Sequence, residues 1–264
     1  RHGIVWLSRG KLTVVDGTLQ FVTKGGGDLP AGKFDIPFQM VSCILLGPGS
    51  TISHDALRLL ARHGTGLIAT GDDGVRMYAS MPFGPGDSIL ARRQVRAWSD
   101  AGGKRIACAR QMYAWRLGEV VPSSDIAVLR GIEGSRMKET YRRLAVQFGV
   151  EWQGRRYDRS DPEGADHPNQ AINHAATAVE AAAMIAVTSA GVLPQLGFIH
   201  EDSSNAFVLD IADLFRDTIT LPIAFSAARE VRRNPGQTIE SVTRRMAGSV
   251  LRREKVVPGM IDRI

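Results

Sequence analysis

Along the first 80 residues, apolar and polar positions alternate in short runs. IVWLS, KLTVV and TLQFVT are separated by Arg9–Gly10 and Asp16–Gly17. Period-two alternation bounded by turn residues predicts strands, and Asp-Gly is a dipeptide that tight hairpins favour. A loop, TKGGGDLPAGK, comes next, followed by MVSCILL as a buried strand closed by GPG. SHDALRLLARHG switches to helical spacing, with Ser53 as N-cap and Gly64 as stop. LIAT and VRMYAS flank the turn GDDG and are expected to complete one small sheet.

MPFGPGDS, residues 81–88, is rich in Pro and Gly and reads as a linker. Beyond it the period lengthens. SSDIAVLRGIEGSRMKETYRRLAVQFG carries apolar residues at helical spacing between serine caps and a terminal Gly. An Arg-rich loop, WQGRRYDRSDPEGADHPN, leads to AINHAATAVEAAAMIAVTSAGV. That segment is built on Ala and contains Glu180, which suits a buried helix better than a membrane span. Further helices run to the C-terminus, with no internal repeat. The expected fold class is α+β: a small N-terminal β-sheet domain (1–80), a linker (81–88) and a larger all-α C-terminal domain (89–264).

One segment conflicts with its own pattern. FVLDIADLF sets Asp210 and Asp213 among seven apolar residues. An unpaired buried carboxylate is costly, and two neighbours repel. On a helix begun near Asn205, the two aspartates share a face with Cβ atoms about 5–6 Å apart, and Asp217 joins them. Several carboxylates on an otherwise apolar helix fit a divalent cation. His200 precedes them across the polar loop EDSSN, and mixed His and carboxylate ligands suit Mg²⁺ or Mn²⁺. The plainer alternative is a packed His and two helix-surface aspartates.

Charge narrows the partner. The chain carries +6, and only 6 of its 33 basic residues are Lys, leaving 27 Arg. Arg forms bidentate phosphate contacts, so the bias points to nucleic acid. Arg76, and Arg155 and Arg156 beside Tyr157 in WQGRRYD, are the candidate DNA contacts. Cys43 and Cys108 stand far apart in apolar surroundings, which excludes a CxxC or zinc pattern and leads us to expect reduced thiols in a cytoplasmic protein. No phosphate-cradling P-loop pattern is present, so ATP is not implied.

Taken together, GFIHEDSSNAFVLDIADLF and LRGIEGSRMKETY resemble the CRISPR spacer-acquisition integrase family in its type I-E branch. GPGSTISHDALRLLARHGTGL, GVRMYAS, QFGVEWQGRRYD and RRNPG extend the resemblance along most of the chain. It implies an N-terminal β-sheet domain and a C-terminal helical catalytic domain. It also implies a metal-dependent DNA endonuclease and integrase, with Glu133, His200 and Asp213 as ligands and Asp210 also needed for activity. Arg216 falls where the branch has a basic residue near the DNA backbone. The implied assembly is homodimers bridged by a small ferredoxin-like companion, a heterohexamer on double-stranded DNA, with no membrane. Two positions depart from the branch: Arg9 stands where Tyr is frequent, and Glu180 where a Tyr can occur near the active site. Outside this family, a general metal-dependent repair nuclease or a non-catalytic DNA-binding scaffold would use the same residues.

Overall fold

The structure, a computed structural model, describes residues 3–26, 29–80, 88–123, 125–156 and 164–264. Its strands are β1 (Gly3–Leu7), β2 (Gly10–Val15), β3 (Thr18–Thr23), β4 (Gly32–Ile36), β5 (Val41–Leu46), β6 (Thr51–Ile52), β7 (Gly66–Thr70) and β8 (Met77–Ser80). Asp16 and Gly17 both take positive φ, 49° and 76°, as a two-residue hairpin requires, and β2 and β3 pair antiparallel across them. Arg9–Gly10 is a corner instead. β1 runs parallel to β5 in one sheet (order β1-β5-β7-β8), while β2 belongs to another (β4-β3-β2-β6). The single small sheet expected from sequence is therefore two four-stranded sheets. The strand that completes the second, β4, lies across the end of the stretch read as a loop. Its GKFDI holds two strand-averse residues among five, so the alternation is too short to read.

Helix α1 (His54–His63) begins at Ser53, whose side chain accepts the Ala56 N–H at 3.2 Å, and stops at Gly64 with φ 60°. After Ser88 come α2 (Ile89–Trp98), α3 (Lys104–Leu117), α4 (Ile126–Phe148) and α5 (His167–Ala190). Apart from Ser88, the 81–88 linker lies outside the described residues. Asp125, rather than a serine, caps α4, accepting the Ala127 N–H at 2.7 Å. Then follow α6 (Ala206–Asp213), α7 (Leu221–Arg233), α8 (Ile239–Arg253) and α9 (Val256–Arg263). Between α6 and α7, Arg216–Thr220 is wound as a π-turn, with the Thr220 N–H donating to the Phe215 carbonyl at 3.1 Å.

The helices assemble around α5. Ala171, Ala175, Ala182, Ala183 and Ala186 are fully buried, and small side chains let α6, α7, α8 and α9 pack closely against it. Ile172 and Ile185 add about 1.5–3 kcal/mol each by leaving water. Among the described residues α5 alone is long and apolar enough to cross a membrane, but here it is the core of the bundle. Cys43, Leu45, Ile68 and Val75 of the first sheet region join that same core. A second core, with Leu12, Leu19, Phe21 and Leu60, fills the space between the sheets and α1. Gly248 on α8 has no room for a Cβ beside Asp73, so helix and sheet region meet at backbone distance there.

Candidate active site

Helix α6 starts where the sequence places it, and Asp210 faces inward at 1% exposure. Its carboxylate is saturated by the loop before α6. It accepts the N–H groups of Phe198 (2.5 Å), Ile199 (3.1 Å) and His200 (3.0 Å), and Nδ1 of His200 stands 2.8 Å away. An ionised carboxylate can only accept, so Nδ1 carries a proton, and in the neutral imidazole the lone pair is on Nε2. The loop is strapped on its other side: Trp98 Nε1 donates to the Gly197 carbonyl at 3.0 Å, and Arg130 to that of Ile199 at 3.3 Å. Gly197 is required because a Cβ there would overlap Ala206 and the His200 carbonyl.

Asp213 lies one turn on, 27% exposed, and its surroundings differ. His200 Nε2 is 4.0 Å from its Oδ2. Arg116, from α3, forms ion pairs with Asp213 Oδ2 at 3.2 Å and with Glu133 Oε1, on α4, at 2.7 Å. Arg216 donates to Asp213 Oδ1 at 3.3 Å and to the Tyr141 hydroxyl at 3.1 Å. Tyr141 is itself stacked on Trp152, ring centroids 5.0 Å apart. The expectation that one cation compensates both aspartates is thus corrected for Asp210, whose charge is met by backbone N–H groups and His200. Asp210 reaches the centre only through the imidazole it orients.

The electrostatics reflect crowding. Burial pushes the Glu133 carboxyl above its usual range; Arg116 works against this and Asp213 with it. Burial likewise raises Asp217, and Glu180 is raised by burial and then by Asp213. The bond to Asp210 raises His200 despite burial. Oδ1 of Asp217 is buried without a hydrogen-bond partner. Two carboxylates, an imidazole whose neutral form keeps its lone pair on Nε2, and an orphaned carboxylate oxygen suit a hard divalent cation. Among the described residues, however, no three His, Cys, Asp or Glu side chains stand in ready metal geometry. Arg116 occupies the position between Glu133 and Asp213.

Arg116 and Tyr141 escaped the sequence reading. The signal for Arg116 is the one that exposed Asp210: a lone charge in an apolar turn, YAWRL. Tyr141 follows Glu133 by eight residues, close to the same stripe of α4. Of the candidate DNA contacts, Arg216 is committed to Asp213 and Tyr141. Arg155 donates to Asn169 (3.0 Å) and Asn173 (2.6 Å), and Arg156 to Gln153 (3.4 Å). Arg76 is half-buried beside β8, and Tyr157 lies outside the described residues.

Paired sheets are followed by a helical bundle, and the carboxylate–imidazole–guanidinium centre is carried by that helical region, with His200 on the loop before α6. Residues 113–247 match the family model described as CRISPR associated protein Cas1. The CRISPR-associated endonuclease Cas1 of Escherichia coli strain K12 is 38% identical over 267 residues, covering 100% of this chain and 84% of that protein. The chain belongs to the Cas1 family. The crystal structure of a TtCas1–DNA complex superposes with TM-score 0.87 at 28% identity, covering 98% of this chain and 93% of that one. A casposase bound to integration product shares the fold, with TM-score 0.63 at 15% identity over 94% of this chain and 86% of its own.

Proposed function

We propose that this chain is the integrase of CRISPR adaptation in the type I-E branch. It is a metal-dependent DNA endonuclease that inserts short foreign DNA fragments into the repeat array by attack of a 3′-hydroxyl on a phosphodiester. What carries the reading is identity along the whole chain to a relative named as a CRISPR-associated endonuclease, with Glu133, His200 and Asp213 drawn to one centre. Residues 89–264 carry the chemistry. Glu133, His200 and Asp213 would hold Mg²⁺ or Mn²⁺, which supplies Lewis-acid polarisation of a phosphodiester.

The protein's own groups do the rest. Asp210 fixes the His200 tautomer, so that Nε2 faces the reacting centre with a lone pair. Arg216, oriented by Tyr141, offers a guanidinium beside Asp213 for a phosphate oxygen. Gly131 and Gly134 flank Glu133 with open space beside them, leaving room for a nucleic-acid strand to approach α4. Arg76, Arg155, Arg156 and Tyr157 would position the duplex through its phosphates. Similarity to a Cas1–DNA complex supports DNA as partner, which we take to be double-stranded. The working assembly is homodimers bridged by the small ferredoxin-like companion, a heterohexamer on DNA, acting in the cytoplasm.

The deciding experiment combines purified protein, companion, a short duplex and a repeat-bearing plasmid. Insertion at the repeat, dependent on Mg²⁺ or Mn²⁺ and lost in Asp213→Ala, is expected. Cutting without regard to repeat or companion would favour a general repair nuclease instead. DNA binding without turnover in either metal would favour a scaffold.

A further inference from the structure

The two carboxylates at the centre come from different helices, α4 and α6, and the chain's own cation already joins them. Arg116 forks between Glu133 Oε1 (2.7 Å) and Asp213 Oδ2 (3.2 Å). Its side chain is only 7% exposed, and Nε, buried, finds no hydrogen-bond partner. A guanidinium stripped of water in this way is held by the charges of its anions. Asp213 Oδ2, the oxygen Arg116 holds, is also the one His200 Nε2 faces at 4.0 Å. The atom that imidazole and cation would share is therefore in use. A divalent ion and the Arg116 fork cannot both sit between Glu133 and Asp213.

We propose that Arg116 is a displaceable internal counter-ion of this centre. In the metal-free protein it keeps Glu133 and Asp213 adjacent against their mutual repulsion, and it must leave Asp213 Oδ2 for a divalent cation to enter. The inference rests on Glu133, His200 and Asp213 being the metal-holding set. It makes Arg116 a positioning residue with two opposed effects: it assembles the empty site and weakens metal affinity.

Mn²⁺ titration calorimetry on the metal-free, full-length protein tests this, using wild type, Arg116→Gln, Arg116→Lys and Asp213→Asn. With the competing fork removed, Arg116→Gln should bind Mn²⁺ about tenfold tighter, the scale of one charge-assisted hydrogen bond. In chelator its Tm should fall by on the order of 5 °C, and Mn²⁺ should restore more than it adds to wild type. Arg116→Lys keeps the charge but cannot fork, so its affinity should lie between the two. Equal or weaker Mn²⁺ binding in Arg116→Gln would overturn the proposal, since it would mean that the arginine only organises the site. Should that variant not fold, Arg116→Lys and the wild type still decide. Saturation with Mg²⁺ should shift the Arg116 Nε–Hε NMR resonance, identified by its absence in Arg116→Lys, and an unmoved resonance overturns the idea. Asp213→Asn separates the two levels. If it binds Mn²⁺ like wild type, the metal assignment itself falls; if it loses binding while Arg116→Gln is unchanged, only the counter-ion role falls.

Discussion

On its buried side, α6 surrounds Asp210 with three N–H groups and an imidazole and leaves it no solvent. At its open end, Asp213 divides its two oxygens among Arg116, Arg216 and His200 and stays 27% exposed. The residue type is the same and the separation is one turn. Backbone donors cannot leave, so Asp210 is a fixed part of the loop it closes. Side-chain cations can leave, so the partners of Asp213 are exchangeable. A carboxylate that is to hold a metal needs the second kind of neighbourhood, and a carboxylate that aims a histidine needs the first.

Asp213→Ala should have the largest effect. Strand transfer and cleavage should fall by more than about a hundredfold, beyond the 10–100-fold seen for groups behind a ligand, and the Mn²⁺-induced rise in Tm should vanish. The Tm in chelator should barely move, because removing a partly exposed carboxylate from a cluster of mutually repelling ones offsets the ion pairs it gives up. A substantial loss of Tm in chelator would erase the contrast between the two aspartates.

Asp210→Asn comes next and should show the opposite profile. One carbonyl oxygen cannot replace two charged ones across four donors, so Tm should fall by several degrees, at about 1.5–3 kcal/mol per charge-assisted bond lost. Activity should fall about 10–100-fold through a misdirected imidazole, and NMR should find the His200 pKa lowered. A normal Tm with activity as low as Asp213→Ala would make Asp210 a direct participant.

Glu180→Gln should be milder and of opposite sign. Removing a carboxylate raised by burial and by Asp213 relieves the cluster, so Tm in chelator should rise by about 2–4 °C. A fall would mean that Glu180 holds a partner the cluster needs.

The smallest effect is a slope against pH. Glu133, Glu180, Asp217 and His200 all have folded-state pKa values above their ordinary ones. Each therefore adds stability that is complete below its unfolded pKa and is lost as pH rises through the folded one. In chelator, Tm should decline from mildly acidic pH towards pH 8 as these groups lose their protons. With Mn²⁺ the trend should reverse, because metal binding needs deprotonated ligands. Parallel slopes in the two conditions would detach these groups from the metal.

Much of this was readable in the residues. Asp16–Gly17 announced a hairpin, Ser53 and Gly64 bounded α1, and the conflict inside FVLDIADLF pointed to the centre. The distinction between its aspartates was not readable. It depends on the loop 197–200 folding back to present three N–H groups, a tertiary event that periodicity does not carry. Arg116 was hidden for a related reason: on its own helix it is one charge among apolar neighbours, and its carboxylates come from α4 and α6. The second sheet was missed because β4 is short and holds Gly and Asp.

The π-turn at Arg216–Thr220 bears on how this stretch tolerates insertions and deletions. A π-turn holds one residue more than the α-turn it replaces. Losing a single codon, even that of exposed Thr218, should turn α6 and α7 against each other by about 100°. Asp213 would then point away from Glu133, although no residue of the centre had changed. Deleting Thr218 should therefore cost the centre far more than replacing it, because the length between Leu214 and Leu221 sets the direction of Asp213 while the Thr218 side chain is exposed.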